Sequence, residues 1–198
     1  MKQLFYFLSI TFLFIGCKEE YIVKGNQVYH KGWNEGVGNY ERLLDGADAK
    51  TFVNLEYSGV NAIFGKDKFH VYMDGKVVPY SDPKTFEYIS DHFFKDKNSI
   101  YFFGFYSSEQ DWKIDSIVPS QFKLIKYPWA TDGKSLIWGY KTLEVDDLSS
   151  FKPLNENWAK TKDKVIFQAK VLNNVDYDSF EVIDDYNAQD KNGKVFKF

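Results

Sequence analysis

The sequence predicts a mainly β domain, a single array of about five to six short β-hairpin repeats of 29–36 residues each, with short helical turns. Three observations predict it: a phenylalanine pattern that recurs along the chain, a polar turn between its copies, and an aromatic content of 19%. Aromatic and β-branched side chains suit strands because they cover the pleated surface of a sheet.

Phe52, Phe86, Phe122, Phe151 and Phe180 follow one another at spacings of 34, 36, 29 and 29 residues. Three residues after them stand Leu55, Ile89, Ile125, Leu154 and Ile183. Thr51, Thr85, Ser150 and Ser179 precede four of the phenylalanines, Gln121 being the exception. Asp48, Asp82, Asp147 and Asp176 stand four positions ahead of the same four, with Val118 in the fifth. The pattern is D-x-x-[ST]-F-x-x-[LI], and linked positions recurring together mark a repeat architecture.

The polar turns are Asp67-Lys68, Asp96-Lys97-Asn98, Asp132-Gly133-Lys134, Thr161-Lys162-Asp163 and Asp190-Lys191-Asn192. Phe64, Phe93, Trp129 and Trp158 lie three positions before four of them, and Tyr186 is one place off that register. Val71, Ile100, Leu136 and Val165 follow at a fixed distance, and Val195 arrives one residue late. Lys24-Gly25-Asn26-Gln27-Val28-Tyr29 reads as a degenerate first copy.

Asn and Gly tolerate left-handed backbone angles, so these polar clusters are tight turns between strands. His70 to Met73, then Asp74-Gly75, then Lys76 to Val78 is a two-residue hairpin signal of type I′. Asn192-Gly193 repeats that chemistry near the end of the chain. Asp82-Pro83 looks like a helix N-cap followed by proline at the first helical position. The D-x-x-[ST]-F-x-x-[LI] segment is therefore read as one helical turn, or as a short strand entered through an Asp-capped turn. Either way its Phe and its Leu or Ile are expected to tuck against the neighbouring unit. One unit is too small to bury its own aromatics, so the units must stack. Propeller blades take about 40 residues and four strands, so stacked hairpins fit the shorter spacing better.

The closest copies are Asp82-Pro83-Lys84-Thr85-Phe86-Glu87, Lys95-Asp96-Lys97-Asn98-Ser99-Ile100-Tyr101, and Asp178-Ser179-Phe180-Glu181-Val182-Ile183 with Gln189-Asp190-Lys191-Asn192. They resemble the repeats of the DKNYY family of bacterial envelope proteins over most of residues 21–198. The resemblance implies architecture and an envelope location, and no particular activity.

The start of the chain points the same way. Lys2 is the only charge before Lys18, and Leu4 to Ile15 is interrupted only by Ser9 and Thr11. A membrane-spanning helix needs about 20 apolar residues, so this shorter run suits a cleaved export signal. It ends in Gly16-Cys17, and Cys17 is the only cysteine. A small residue and a cysteine just after an apolar run resemble the lipobox of bacterial lipoproteins, where the cysteine is acylated and becomes the mature N-terminus. Residues 1–16 are thus expected to be a lipoprotein signal cleaved between Gly16 and Cys17, residues 17–20 a lipidated tether, and residues 21–198 the repeat domain. Lys18-Glu19-Glu20 resembles the short Lys/acidic tag of surface-displayed lipoproteins, which favours the cell-surface side of the outer membrane over its periplasmic side.

A formal net charge of −3 and the lack of a basic patch give no electrostatic footprint for nucleic acid. His30, His70 and His92 lack the spacing of a metal-binding helix, and no second cysteine is present for zinc, so no metal or cofactor is expected. Asn174, Asp176, Asp178 and Asp185 follow part of an EF-hand count, but Ser179 takes the glycine position and Asp185 replaces the closing Glu. No G-x-S-x-G elbow or phosphate loop occurs. Asp146-Asp147 and Asp184-Asp185 are paired acids of the kind glycoside hydrolysis uses, although they fall in polar turns of the repeat.

No catalytic residue is assigned. Trp129 and Trp158 occupy the core-like aromatic position, which leaves Trp33 and Trp112 as candidates for an exposed ligand surface. The leading expectation is a non-enzymatic, lipid-anchored envelope protein offering a binding or structural surface to a protein or glycan partner. The alternatives are an envelope polysaccharide-active enzyme or carbohydrate-binding lipoprotein, and an immunity or toxin-neutralising lipoprotein.

Overall fold

Each polar turn of the sequence closes a β-hairpin, and the hairpins gather into six small antiparallel sheets. The computed structural model describes residues 19–104, 107–193 and 195–198, so the segment expected to be an export signal, with Gly16, Cys17 and Lys18, lies outside the described residues. The first sheet holds β1 (Glu20–Lys24), β2 (Gln27–Asn34) and β3 (Gly38–Leu43). The second holds β4 (Val53–Leu55), β5 (Phe64–Lys66), β6 (Val71–Met73) and β7 (Lys76–Val77). The third holds β8 (Glu87–Ser90), β9 (Phe93–Lys95), β10 (Ile100–Phe102) and β11 (Lys113–Ile114). The fourth is β12 (Lys123–Lys126), β13 (Trp129–Thr131), β14 (Ser135–Trp138) and β15 (Lys141–Glu144). The fifth is β16 (Lys152–Pro153), β17 (Trp158–Lys160), β18 (Val165–Phe167) and β19 (Lys170–Val171). The sixth is β20 (Glu181–Val182), β21 (Asn187–Gln189) and β22 (Val195–Lys197). Strands within a sheet pair in chain order, so one sheet is one repeat.

Local chemistry explains the turns. Asp74 and Gly75 have φ of 47° and 82°, the left-handed pair that a type I′ turn requires, and Met73 pairs with Lys76 across them. The D-x-x-[ST]-F segment is the Asp-capped turn followed by a strand. Asp82 accepts hydrogen bonds from the backbone N–H groups of Lys84 and Thr85, and β8 begins one residue after Phe86. The two hydrophobic positions of the segment do not share a face as a helical turn would require. Phe52 packs between the first and second sheets, whereas Leu55 packs between the second and third. Phe86 and Ile89 divide in the same way, as do Phe151 and Leu154. That is the alternation of a strand.

The same alternation builds the cores. On β5, β13 and β17 an aromatic residue faces the next sheet and its small neighbour faces the previous one: Phe64-Gly65, Trp129-Ala130 and Trp158-Ala159. A Cβ on Gly65 would lie 2.5 Å from Cζ of Phe52, so the phenylalanine of the repeat seats in the recess left by the small residue. Five hydrophobic clusters result, each shared by two consecutive sheets, and none of the five joins the sixth sheet to the first.

In the second, third and sixth sheets a buried carboxylate fastens the hairpin turn to the Asp-capped turn of its own unit. Asp96, 2% exposed, accepts from the N–H groups of Asn98 and Ser99 through Oδ1, and from the N–H of Asp82 and the hydroxyl of Tyr101 through Oδ2. Asp67 does the same with Phe69, His70, Asp48 and Tyr72. Burial pushes the Asp67 carboxyl up, but the four donors outweigh it and hold the group below its ordinary value. The following lysine completes the clasp. The N–H of Lys68, Lys97, Lys162 and Lys191 donates to Thr51, Thr85, Ser150 and Ser179 respectively. The ammonium groups of Lys68, Lys97 and Lys191 reach Asp48, Asp82 and Asp176 at 2.7, 2.6 and 3.0 Å.

At the other end of the strands the sheets converge. Phe102 of the third sheet, Trp138 and Tyr140 of the fourth, Asn157 beside the fifth and Tyr186 beside the sixth line one cavity of about 100 Å³. Sheets packed face to face sit about 10 Å apart, so four in a straight stack would spread over roughly 30 Å. The array therefore fans around this end.

Candidate functional surfaces

The residues singled out from sequence are dispersed. Trp112 is 6% exposed and packs between the second and third sheets, edge-on to Phe103 at 5.4 Å, so it offers no ligand surface. Its place outside the repeat signature suggested exposure, but the segment that carries it folds back so that the backbone N–H of Phe102 bonds to the carbonyl of Trp112. Trp33, by contrast, is 51% exposed at the end of β2.

Asp146 is exposed and ion-paired with Lys164, whereas Asp185 accepts a hydrogen bond from Asn155 at 3.3 Å. The two acids line different concavities, Asp146 beside the hairpin turn of the fifth sheet and Asp185 at the fanned end. Asp176 is held down to about 2 by its bonds to Ser179 and Lys191, an assignment that belongs to the repeat clasp and not to a calcium loop. Among the described residues no three His, Cys, Asp or Glu gather as a metal site, and no helix is long and apolar enough to cross a membrane.

A groove of about 790 Å³ lies between the first sheet and the Asn54–Phe64 segment of the second. Its walls mix Glu19, Glu20, Glu56, Asn54 and Asn61 with Tyr21, Leu55, Tyr57, Val60 and Ala62. Tyr57 is anchored by Phe64, Tyr88 and Phe94, and burial, then the charge of Glu87, raises its hydroxyl to about 12. β1 and β4 are the outermost strands of their sheets, so unpaired backbone groups border the groove. Mixed polar and aromatic walls beside strand edges suit an extended chain.

A buried polar cluster joins the same two sheets. His30 is 6% exposed and lies among Tyr21, Tyr40, Glu19, Asp74 and Gly75, with Arg42 acting on it from β3. The Tyr40 hydroxyl donates to Glu19 at 2.8 Å and sits 3.4 Å from Nε2 of His30. Burial lowers the imidazole below its ordinary value despite the nearby carboxylates. The unfolded chain then binds the extra proton first, so stability is lost as pH falls from about 6.5 through the folded value. Asp74, raised by burial, works in the opposite sense nearer the carboxylate range. The urea midpoint is therefore expected to drop between pH 7 and pH 5 in the wild type and to flatten over that range in His30→Gln. Identical pH profiles for the two proteins would refute this.

The comparisons with known proteins follow the geometry. The DKNYY family model matches residues 21–197. The chain belongs to the DKNYY family. No curated protein and no solved structure matches it. The match starts one residue into β1 and ends in β22, so it spans all six sheets. The Asp-Lys-Asn of the family name occurs twice in this chain, in the clasps at Asp96-Lys97-Asn98 and Asp190-Lys191-Asn192.

Proposed function

We propose that this DKNYY protein is a lipid-anchored component of the bacterial envelope, non-enzymatic, whose repeat array holds a protein or glycan partner. The groove beside Glu19 carries the reading: it is a concavity of about 790 Å³, it is bordered by strand edges, and it opens two residues from Cys17. Export through residues 1–16 and acylation of Cys17 would place that groove close to the membrane. Glu19 and Glu20 of the Lys/acidic tag bond to Tyr40 and Lys31, so the tag and the first sheet form one surface.

The test is made on chain purified from its envelope. Mass spectrometry is expected to show loss of residues 1–16 and a lipid on Cys17, with Cys17→Ala unmodified and released from membrane. An unmodified Cys17 in the wild-type protein would overturn the anchor. Partners co-purifying with the wild type should be lost on Glu56→Arg with Asn61→Arg, which fill the groove, and retained on Glu181→Arg in the sixth sheet. Equal recovery from both variants would remove the groove from the account.

A further inference from the structure

We infer that the tip of the β2–β3 hairpin, carrying Trp33 and Val37, rests in the lipid interface beside the anchor. The inference rests on the lipoprotein reading and adds to it a second point of membrane contact.

The argument begins with chain length. Cys17 precedes Glu20, the first residue of β1, by three positions, which limits its distance to about 10 Å even when fully extended. Glu20 pairs with Lys31, and the side chain of Glu19 lies over Gly32 so closely that a Cβ there would be 2.8 Å from Cγ of Glu19. The next residue along β2 is Trp33. A lipid on Cys17 would therefore hold this hairpin tip at the bilayer surface.

The tip is built for shallow contact. Trp33 is 51% exposed and Val37 63% exposed, on a turn held rigid by Asn34, whose Oδ1 accepts the N–H groups of Gly36 and Val37 at 3.0 Å each. Tryptophan partitions to the level of the lipid headgroups, where its ring is half apolar and its N–H stays wet. Glu35 at the crest is exposed and charged, which limits the depth to that level. The sheet face behind the tip carries little net charge, because Lys31 pairs with Glu20 and Lys24 with Glu41. The same face continues as an apolar stripe, Ile22, Tyr29 and Leu43, in direct cross-strand register.

The other four tryptophans are buried, at 6% exposure or less, so Trp33 is the indole that lipid can reach. Full-length protein is produced in an exporting bacterium, purified from membranes and placed in phosphatidylethanolamine–phosphatidylglycerol vesicles with or without shallow-brominated lipid. Bromolipid is expected to quench most of the emission contributed by Trp33 and to leave Trp33→Phe unaffected. Mass spectrometry of Cys17 is run on the same sample. A lipidated chain whose Trp33 emission is unquenched would overturn the contact and leave the anchor standing. An unmodified Cys17 would overturn the anchor and the contact together. Circular dichroism of Trp33→Phe should match the wild type, since the ring supports no core.

Discussion

Asp96→Ala is expected to destabilise the protein by about 3–5 kcal/mol, because it strands four donors at once, those of Ser99, Tyr101 and Asp82 on buried or half-buried residues and that of exposed Asn98. The N–H groups of Asn98, Ser99 and Asp82 and the hydroxyl of Tyr101 all end on this one carboxylate. Among the described residues only the tyrosine has a second acceptor, the carbonyl of Tyr80 at 3.2 Å. Asp96→Asn should fall between wild type and Ala: the shape survives, but the charge and half of the acceptor set do not. Lys97→Ala removes an exposed ion pair to Asp82 and should hardly move the midpoint, because water replaces such a pair. Urea unfolding measures all three. Asp96→Ala within experimental error of Lys97→Ala would remove the buried carboxylate from its central place.

Trp129→Ala is expected to cost about 3–5 kcal/mol, since it empties the middle of a core that no other unit can refill. Its ring is fully buried between the fourth and fifth sheets, and its Nε1 donates to the carbonyl of Asn155 at 2.9 Å. In a repeat array each junction stabilises only its two neighbours. The loss should therefore uncouple the fifth and sixth sheets, and unfolding should become biphasic. Limited proteolysis should cut first near residues 145–150, between β15 and β16. Trp158 gives the control. It is equally buried, but its Nε1 has no hydrogen-bond partner among the described residues. Trp158→Phe removes that orphan donor while losing some volume, for a net effect of roughly 1 kcal/mol or less. A single cooperative transition in Trp129→Ala would contradict the nearest-neighbour picture.

Turns were the legible part of this fold. Asp74-Gly75 announces a type I′ hairpin because only a few residue types accept its backbone angles, and that chemistry is local. The D-x-x-[ST]-F repeat was equally plain, and its Asp and Ser or Thr are the two halves of the clasp. Where the chain sends the Phe and the Leu or Ile was not legible, since a spacing of three fits a helical turn as well as a strand. The pairing of an aromatic with a small neighbour, as in Phe64-Gly65 and Trp129-Ala130, was in the sequence and carries the direction of packing. It goes unread unless both faces of each inner sheet are expected to be buried.

The surfaces were harder. Trp33 lies where its neighbours suggested, but Trp112 does not, because nothing in its flanking residues reveals that the segment folds back on β10. The first sheet reads as a fragment from Lys24 to Tyr29, although it extends from Glu20 to Leu43. It lacks the Asp of the clasp, and Gly25, with φ of 61°, makes its turn instead. The groove was not legible at all, since it is assembled from Glu19–Tyr21 and Asn54–Phe64, segments far apart in the chain.

The recess and the ring that fills it also bear on inheritance. Three junctions set aromatic rings against a small residue, Gly65, Ala130 or Ala159, while Phe94 takes that place between the second and third sheets, so a recombination that inserts or drops one whole unit of the first kind recreates a junction already in use. Copy number is then the property such a gene can vary most easily, while both ends of the array stay as they were. Length variants with an unchanged first sheet would share one terminal surface and differ only in how far they reach from it.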